Sequence, residues 1–460
     1  MNFKLGDDFA TIDDLKEKLR AACLEKHVEF YVVKSSRSKY TVRCRNAGCG
    51  WRMHASILGT GPTCRIRALA EHTCEGAPGL GNKNASAQWI AQKLQEKIKQ
   101  HPNYRPVDII RDLQREEGIQ IPYARAWRGK EAAMISIHGD ELKGYCMLPG
   151  YLSAIRNTNP GSVAFMECRG VTFYRLFMAY SACLRGFKYC RPFVAFDATQ
   201  LTGKFQGCLL SATGVDARDQ LYPIALAVVD VENEENWMWF MTALRQSLQL
   251  ETCILTLISN REKGLVEAGS AVFPESKHAC CMRHLVETLK KEYTSNGEFI
   301  KLIWSAAHQV SMEKFEETIN AARVLCPDGV QYMLDVDPVH WATAHFPGRR
   351  WGHLTSTVAE SVNSWLQEAR SMPIIAMLES IRKQLAEWFF QRRQEAETAV
   401  QVPQFDPSTL IQPIDEKIRE AMASSQHYLV RPSDLTVFEI DTGKQTRIVN
   451  LDGWDCTCKE

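Results

Sequence analysis

The chain has 460 residues, enough for several domains and a sizeable core. Apolar residues make up 45% and charged residues 24%, an ordinary globular balance. The net charge of +1 excludes a polyelectrolyte that binds nucleic acid with its whole surface, so any nucleic-acid face must be local. Apolar runs such as "ALAVV" are far too short to cross a bilayer, and no membrane association is expected. The opening "MNFKLGDDFATIDDL" lacks the basic and apolar regions of a signal peptide. A reducing compartment is therefore expected for the 16 cysteines, and clustered ones read first as metal ligands.

The first informative stretch runs from Phe30 to Cys74. "FYVV", "YTVRC", "WRMHASI" and "CRIRAL" read as short strands, and "NAGCG" and "GTGP" as turns. A sheet this small is not held by apolar burial alone. Cys44, Cys49, His72 and Cys74 offer a staple. The spacing C-x4-C-x22-H-x-C supplies three thiolates and an imidazole, the closed donor set of structural zinc. The alternative is a chance grouping of reduced surface cysteines. Cys64 reads as a bystander.

Between Lys34 and Arg67 there are eight Lys or Arg and no Asp or Glu. Lys34, Arg37, Lys39, Arg43, Arg45, Arg52, Arg65 and Arg67, with Trp51 interleaved, are expected to contact double-stranded DNA through its phosphates. A merely solvated basic face is the alternative.

Helical periodicity follows. Trp89, Ile90, Leu94 and Ile98 share one face, "PVDIIRDLQREEG" makes a second helix ending at Gly118, and "PYARAWRGKEAAMISIHGD" makes a third with Arg125, Arg128 and Lys130. This is either a helix-turn-helix-like DNA reader or a plain helical linker.

In the centre, "FVAFDAT", "GCLLSATGVD" and "LYPIALAVVD" read as three antiparallel strands. The helix "EENWMWFMTALRQSL", the strand "CILTLIS" and another helix come next. That order matches a ribonuclease-H-like core, in which the ends of the first and fourth strands meet and a helix brings a third acid. Two divalent metals between such carboxylates drive attack on a phosphodiester. Asp197 fits the first position, unless it only caps a turn. Glu360, in "TSTVAESVNSWLQEAR", is the third candidate, unless it is a solvated helix glutamate. Position 260, at the end of the fourth strand, holds an asparagine.

"FDATQLTGKFQGCLLSATGVDARDQLYPIALAVVDVENEENWMWFM" resembles the core of the Mutator-like element transposases. "ISNREKGLVEAGSAVFPESKHACCMRHL" resembles the next block, with Cys281 and His284 in the family's C-x-x-H arrangement; these two read as half a metal site or as a packing pair. "VAESVNSWL" resembles the block that carries the third acid. The Phe30–Cys74 module resembles the WRKY-like zinc fingers at the front of such transposases. "VNLDGWDCTCKE" resembles the opening of a SWIM zinc finger, with Cys456 and Cys458 as half of a site. Relatives include the domesticated far-red-impaired-response transcription factors.

The resemblance implies an α+β multidomain protein. A WRKY-like zinc module spans 25–80 and a helical DNA-binding segment spans 85–160. A ribonuclease-H-like transposase domain spans 185–400, with a helical insertion over about 281–350, and a SWIM start spans 430–460. It also implies structural zinc, ancestral Mg²⁺ or Mn²⁺ at Asp197 and Glu360, a nuclear location, homo-oligomers, and DNA transposition and recombination at terminal inverted repeats. A domesticated relative would act at promoter sites instead. The family block normally reads S-D at Ser259–Asn260. The amide offers a neutral carbonyl where a carboxylate belongs, so metal-assisted chemistry is expected to be impaired. Glu262, two residues on, is the nearby acid that offers a substitute.

Overall fold

The computed structural model describes residues 3–59, 61–75, 82–101, 104–249, 254–261, 264–400, 412–443, 446–453 and 455–457. The chain divides into two compact units, Met1–Lys143 and Gly144–Glu460. It is a mixed α/β multidomain protein with an N-terminal sheet.

In the first unit, β1 (Asp8–Phe9) precedes α1 (Ile12–Glu25). β2 (Phe30–Ser35), β3 (Lys39–Cys44), β4 (Arg52–Ile57) and β5 (Cys64–Leu69) complete an antiparallel sheet of order β1-β5-β4-β3-β2. Alternation sorts its faces. Tyr40, Val42, Cys44, Met53, Ala55, Cys64 and Ile66 are buried. Leu15, Leu19 and Cys23 of α1 join them in one core. The Thr11 hydroxyl starts that helix by accepting from the Asp14 amide at 3.1 Å. Neither β1 nor α1 is among the sequence expectations, although Ile12, Leu15 and Leu19 keep a helical spacing.

α2 (Ala87–Gln100), α3 (Pro106–Glu117) and α4 (Tyr123–His138) share a second core through Ile90, Leu94, Ile98, Ile109, Leu113 and Ala126. α2 and α4 cross closely at Gly129, where a Cβ would lie 2.4 Å from Ile90 Cγ2.

α5 (Glu141–Thr158) leads into β6 (Val163–Arg169), β7 (Thr172–Ala179) and α6 (Ser181–Phe187). β8 (Phe193–Gln200), β9 (Cys208–Val215) and β10 (Leu221–Val229) form an antiparallel meander. α7 (Glu234–Leu248) then crosses over to β11 (Thr256–Ser259), which lies parallel to β8. α8 (Leu265–Val272) crosses to β12 (Lys277–Cys280), parallel to β11. The seven strands run β12-β11-β8-β9-β10-β7-β6. β6 and β7, which widen the sheet beyond β10, are absent from the sequence reading.

Five helices follow: α9 (Met282–Glu292), α10 (Gly297–His308), α11 (Met312–Leu325), α12 (Pro327–Asp335) and α13 (Pro338–Trp341). They hold their own core around Phe299, Ile303, Phe315, Ile319 and Trp341. α14 (Thr357–Trp365) returns to the sheet and packs across β8, β9 and β10. α15 (Ile374–Val400) and α16 (Gln412–Ser425) follow. β13 (Leu429–Pro432), β14 (Val437–Asp441), β15 (Thr446–Asn450) and β16 (Asp455–Cys456) make a small antiparallel sheet.

The period of two on β8 decides what faces the site. Phe196 meets Trp237 and Phe240 of α7, at ring centroids of 6.2 and 6.3 Å. Phe193 and Ala195 point the other way, into a cluster with Ile258 and with Ala359 of α14. Asp197 shares their parity. Among the described residues no helix is long and apolar enough to cross a membrane.

Candidate functional site

Cys44 ends β3, Cys49 lies in the turn before β4, and His72 and Cys74 follow β5. One ligand atom from each lies within 4.8 Å of all the others. Cys44 Sγ is 3.6 Å from Cys74 Sγ, and His72 Nδ1 is 3.4 Å from Cys49 Sγ and 3.6 Å from Cys74 Sγ. Zinc–sulfur bonds of ~2.3 Å at tetrahedral angles separate two sulfurs by ~3.8 Å, so these edges suit a zinc ion. Trp51 stacks on His72 at 4.5 Å and 14°, which fixes the plane of the ring. Burial opposes ionisation of Cys49, but the Trp51 and Thr73 amides outweigh it and hold the thiol at about 5. Burial and the neighbouring sulfurs push Cys74 up to about 12. A divalent cation would relieve that crowding. The cluster fits zinc.

The face of the sheet turned away from α1 is basic. Arg43 and Arg52 sit directly opposite each other on β3 and β4, and both are exposed. Lys34, Arg37, Lys39 and Arg67 are exposed too. These six form no ion pair among the described residues. Arg65 differs: its guanidinium grips Asp8 through two hydrogen bonds of 2.6 Å. Arg45 lies 3.6 Å from Glu29. The field of the face registers on His54, which burial, then Arg52, Lys39 and Lys34, hold below its ordinary pKa. Trp51 does not belong to this face. It is 3% exposed, because its position has the core parity of Met53 and Ala55, and its ring serves His72.

In the second unit, Ala195 pairs with Ile258 across the parallel β8–β11 ladder. The ladder ends there and β11 ends at Ser259; continued by two residues, its register would set Asn260 opposite Asp197. Gly264 closes the following loop with φ +78°, and a Cβ there would lie 2.3 Å from Glu234 Cβ. Only glycine fits so close to the start of α7. Glu262 lies outside the described residues.

Asp197 is 9% exposed. Its carboxylate accepts from the Ala198 amide at 3.0 Å and from Asn363 Nδ2 at 2.6 Å. Asn363 lies three residues after Glu360 on α14, so both project from one helix face. Glu360 is ion-paired with Arg283. Burial raises the Asp197 carboxyl to about 6; the Ala198 amide and the His284 charge oppose it, while Glu360 and Glu232 add to it. Asp197 is therefore close enough to His284 and Glu360 to feel the charge of each. The set expected from the sequence, two carboxylates and an amide, is one negative charge short of the three-acid set. Each carboxylate already has a protein donor. The set does not fit a pair of hard divalent ions.

Cys281 caps α9 and His284 lies in its first turn. Their ligand atoms and one from Glu360 lie within 4.8 Å of one another. Burial opposes ionisation of Cys281, but the His284 ring and the Ser356 amide, 3.2 Å from the sulfur, hold the thiol below its usual range. His284 rises to about 9 through the Cys281 sulfur beside it, against its burial, with Asp197 assisting. Arg283, Ser356 and Asn363 are absent from the sequence reading. Only Asn363 left a signal, its three-residue spacing from Glu360. Cys456 lies in β16, and Cys458 lies outside the described residues.

Two family models support a transposase-derived DNA-binding protein. The family model for the MULE transposase domain matches residues 193–288, and that for the MuDR family transposase matches residues 1–66. Both matches support a Mutator-like transposase family. No curated protein matches it. Among solved structures it is similar to AFT2, from a crystal structure of AFT2 in complex with DNA. The identity is 16%, the match covers 25% of this chain and 91% of that chain, and the TM-score is 0.16.

Proposed function

We propose that the chain binds duplex DNA through its N-terminal module and that its core no longer cuts DNA. The observation that carries the second half is the amide at position 260, just past the end of β11, the strand that runs parallel to the Asp197 strand β8. The three-stranded meander followed by a parallel β11 supports a ribonuclease-H-like reading of the core. The four-ligand cluster under a small antiparallel sheet supports a WRKY-like reading of the module. With one acid replaced by an amide, ancestral strand cleavage and transfer would fall by orders of magnitude. On this reading the chain acts on nuclear DNA, at terminal inverted repeats if it still serves a mobile element and at promoter sites if it is domesticated. Flanking inverted repeats in the genome separate the two.

DNA binding then works through counterion release. Each phosphate neutralised by Lys or Arg contributes ~0.9 to the salt slope of the affinity. The test is fluorescence anisotropy of the full chain on a duplex oligonucleotide across a salt series. Arg43→Gln with Arg52→Gln is expected to weaken binding on every sequence and to lower the slope by about 2. An unchanged slope would place the contacts elsewhere.

A further inference from the structure

We infer that Cys281, His284 and Glu360 form a second zinc site, which takes the third acid out of the hard carboxylate set. Cys281 and His284 come from the first turn of α9 and Glu360 from α14, on the far side of the inserted helices. The fold still brings one ligand atom from each to within 4.8 Å of the others.

Three observations point to a bound cation. Cys281 is 1% exposed and its sulfur accepts from the Ser356 amide, an arrangement that suits a thiolate. Glu360 Oε1 and His284 Nδ1 are buried, and neither has a hydrogen-bond partner among the described residues. Buried polar atoms of this kind normally find a partner, and one cation beside them would serve both groups. Arg283 does not compete, because it holds Oε2 of Glu360 and leaves Oε1 unpartnered.

The donor types select the ion. One thiolate, one imidazole and one carboxylate suit zinc and are foreign to magnesium, which takes oxygen ligands. Three protein ligands leave a fourth position open, unlike the closed four-ligand cluster of the first unit. The two sites share no residue, so one can be removed without touching the other.

The test counts zinc in the full-length chain, reduced, loaded with zinc and desalted. Wild type is compared with Cys281→Ser/His284→Ala by elemental analysis. The double variant is expected to hold one zinc fewer per chain. Should it fail to fold by circular dichroism, Glu360→Gln, which keeps size and shape, decides. Competition with a chromophoric chelator is expected to show the weaker wild-type site loosened at least about tenfold in that variant. Cobalt in place of zinc gives a second readout, since Cys281→Ser should remove part of the thiolate-to-cobalt absorption. Equal zinc content in wild type and a folded double variant, or unchanged chelator competition with Glu360→Gln, overturns the site. Neither result bears on DNA binding, whose salt slope is measured separately.

Discussion

The two cysteine–histidine clusters are built on opposite plans. In the first unit, four ligands sit at the ends and turns of one small sheet, and three of the four are sulfur. In the second, two ligands open one helix, the third comes from a helix beyond a long insertion, and an arginine holds part of it. The first cluster pins the ends of a sheet whose core, shared with α1, is small. The second lies beside a large apolar core that does not need it. Metal is thus expected to decide whether the first unit folds, and to adjust only local geometry in the second.

Breaking the first cluster should have the largest effect. Cys49→Ser with His72→Ala, or removal of zinc by a strong chelator, is expected to melt the N-terminal sheet and lower duplex affinity at least about 100-fold. Circular dichroism and anisotropy on the full chain check this. A folded, zinc-free module would erase the contrast between the clusters. Next comes the stacked ring. Trp51→Ala opens a cavity in the same core and is expected to destabilise the first unit by about 3–5 kcal/mol, read by denaturant unfolding. Were Trp51 a DNA contact instead, affinity would fall and stability would hold.

A smaller effect sharpens the second region. Asn260→Asp restores a carboxylate just past the end of β11 and is expected to raise Mn²⁺ affinity about tenfold, measured by the electron paramagnetic resonance of free Mn²⁺. No change would mean that Asn260 and Asp197 do not share an ion.

The smallest concerns His54. Burial and neighbouring cations hold its pKa below the ordinary value in the free protein. Bound phosphates would raise it, so binding takes up a proton. Affinity should rise as pH falls below the ordinary histidine range, by up to about threefold, and His54→Gln should flatten the profile. Affinity that falls with acidification in wild type would reverse the sign.

Legibility in the sequence followed the range of the interactions. The Cys44–Cys74 spacing and the meander from Phe193 to Val229 are local patterns, readable from turn residues and periodicity. The parity of Trp51 is local as well, yet its place among eight Lys and Arg points to the basic face while its ring is buried with Met53 and Ala55. Arg65 looked free because its partner Asp8 belongs to a strand not foreseen. Asn363 on Asp197 and Arg283 on Glu360 depend on α14 returning to the sheet after five inserted helices. No window of sequence contains that return. β6 and β7 escaped for a similar reason: β7 pairs with β10, which comes later in the chain, and β6 is the edge strand beyond it.

Whether the core is silent in a protein that binds DNA is decided by one assay. Supercoiled plasmid is incubated with the full chain and Mg²⁺ or Mn²⁺ at a salt concentration where anisotropy shows the DNA to be bound. The account predicts bound plasmid with no nicking above that of buffer and metal alone. Nicking by the unaltered chain that disappears with Asp197→Ala would contradict it, and would mean that another acid completes the site.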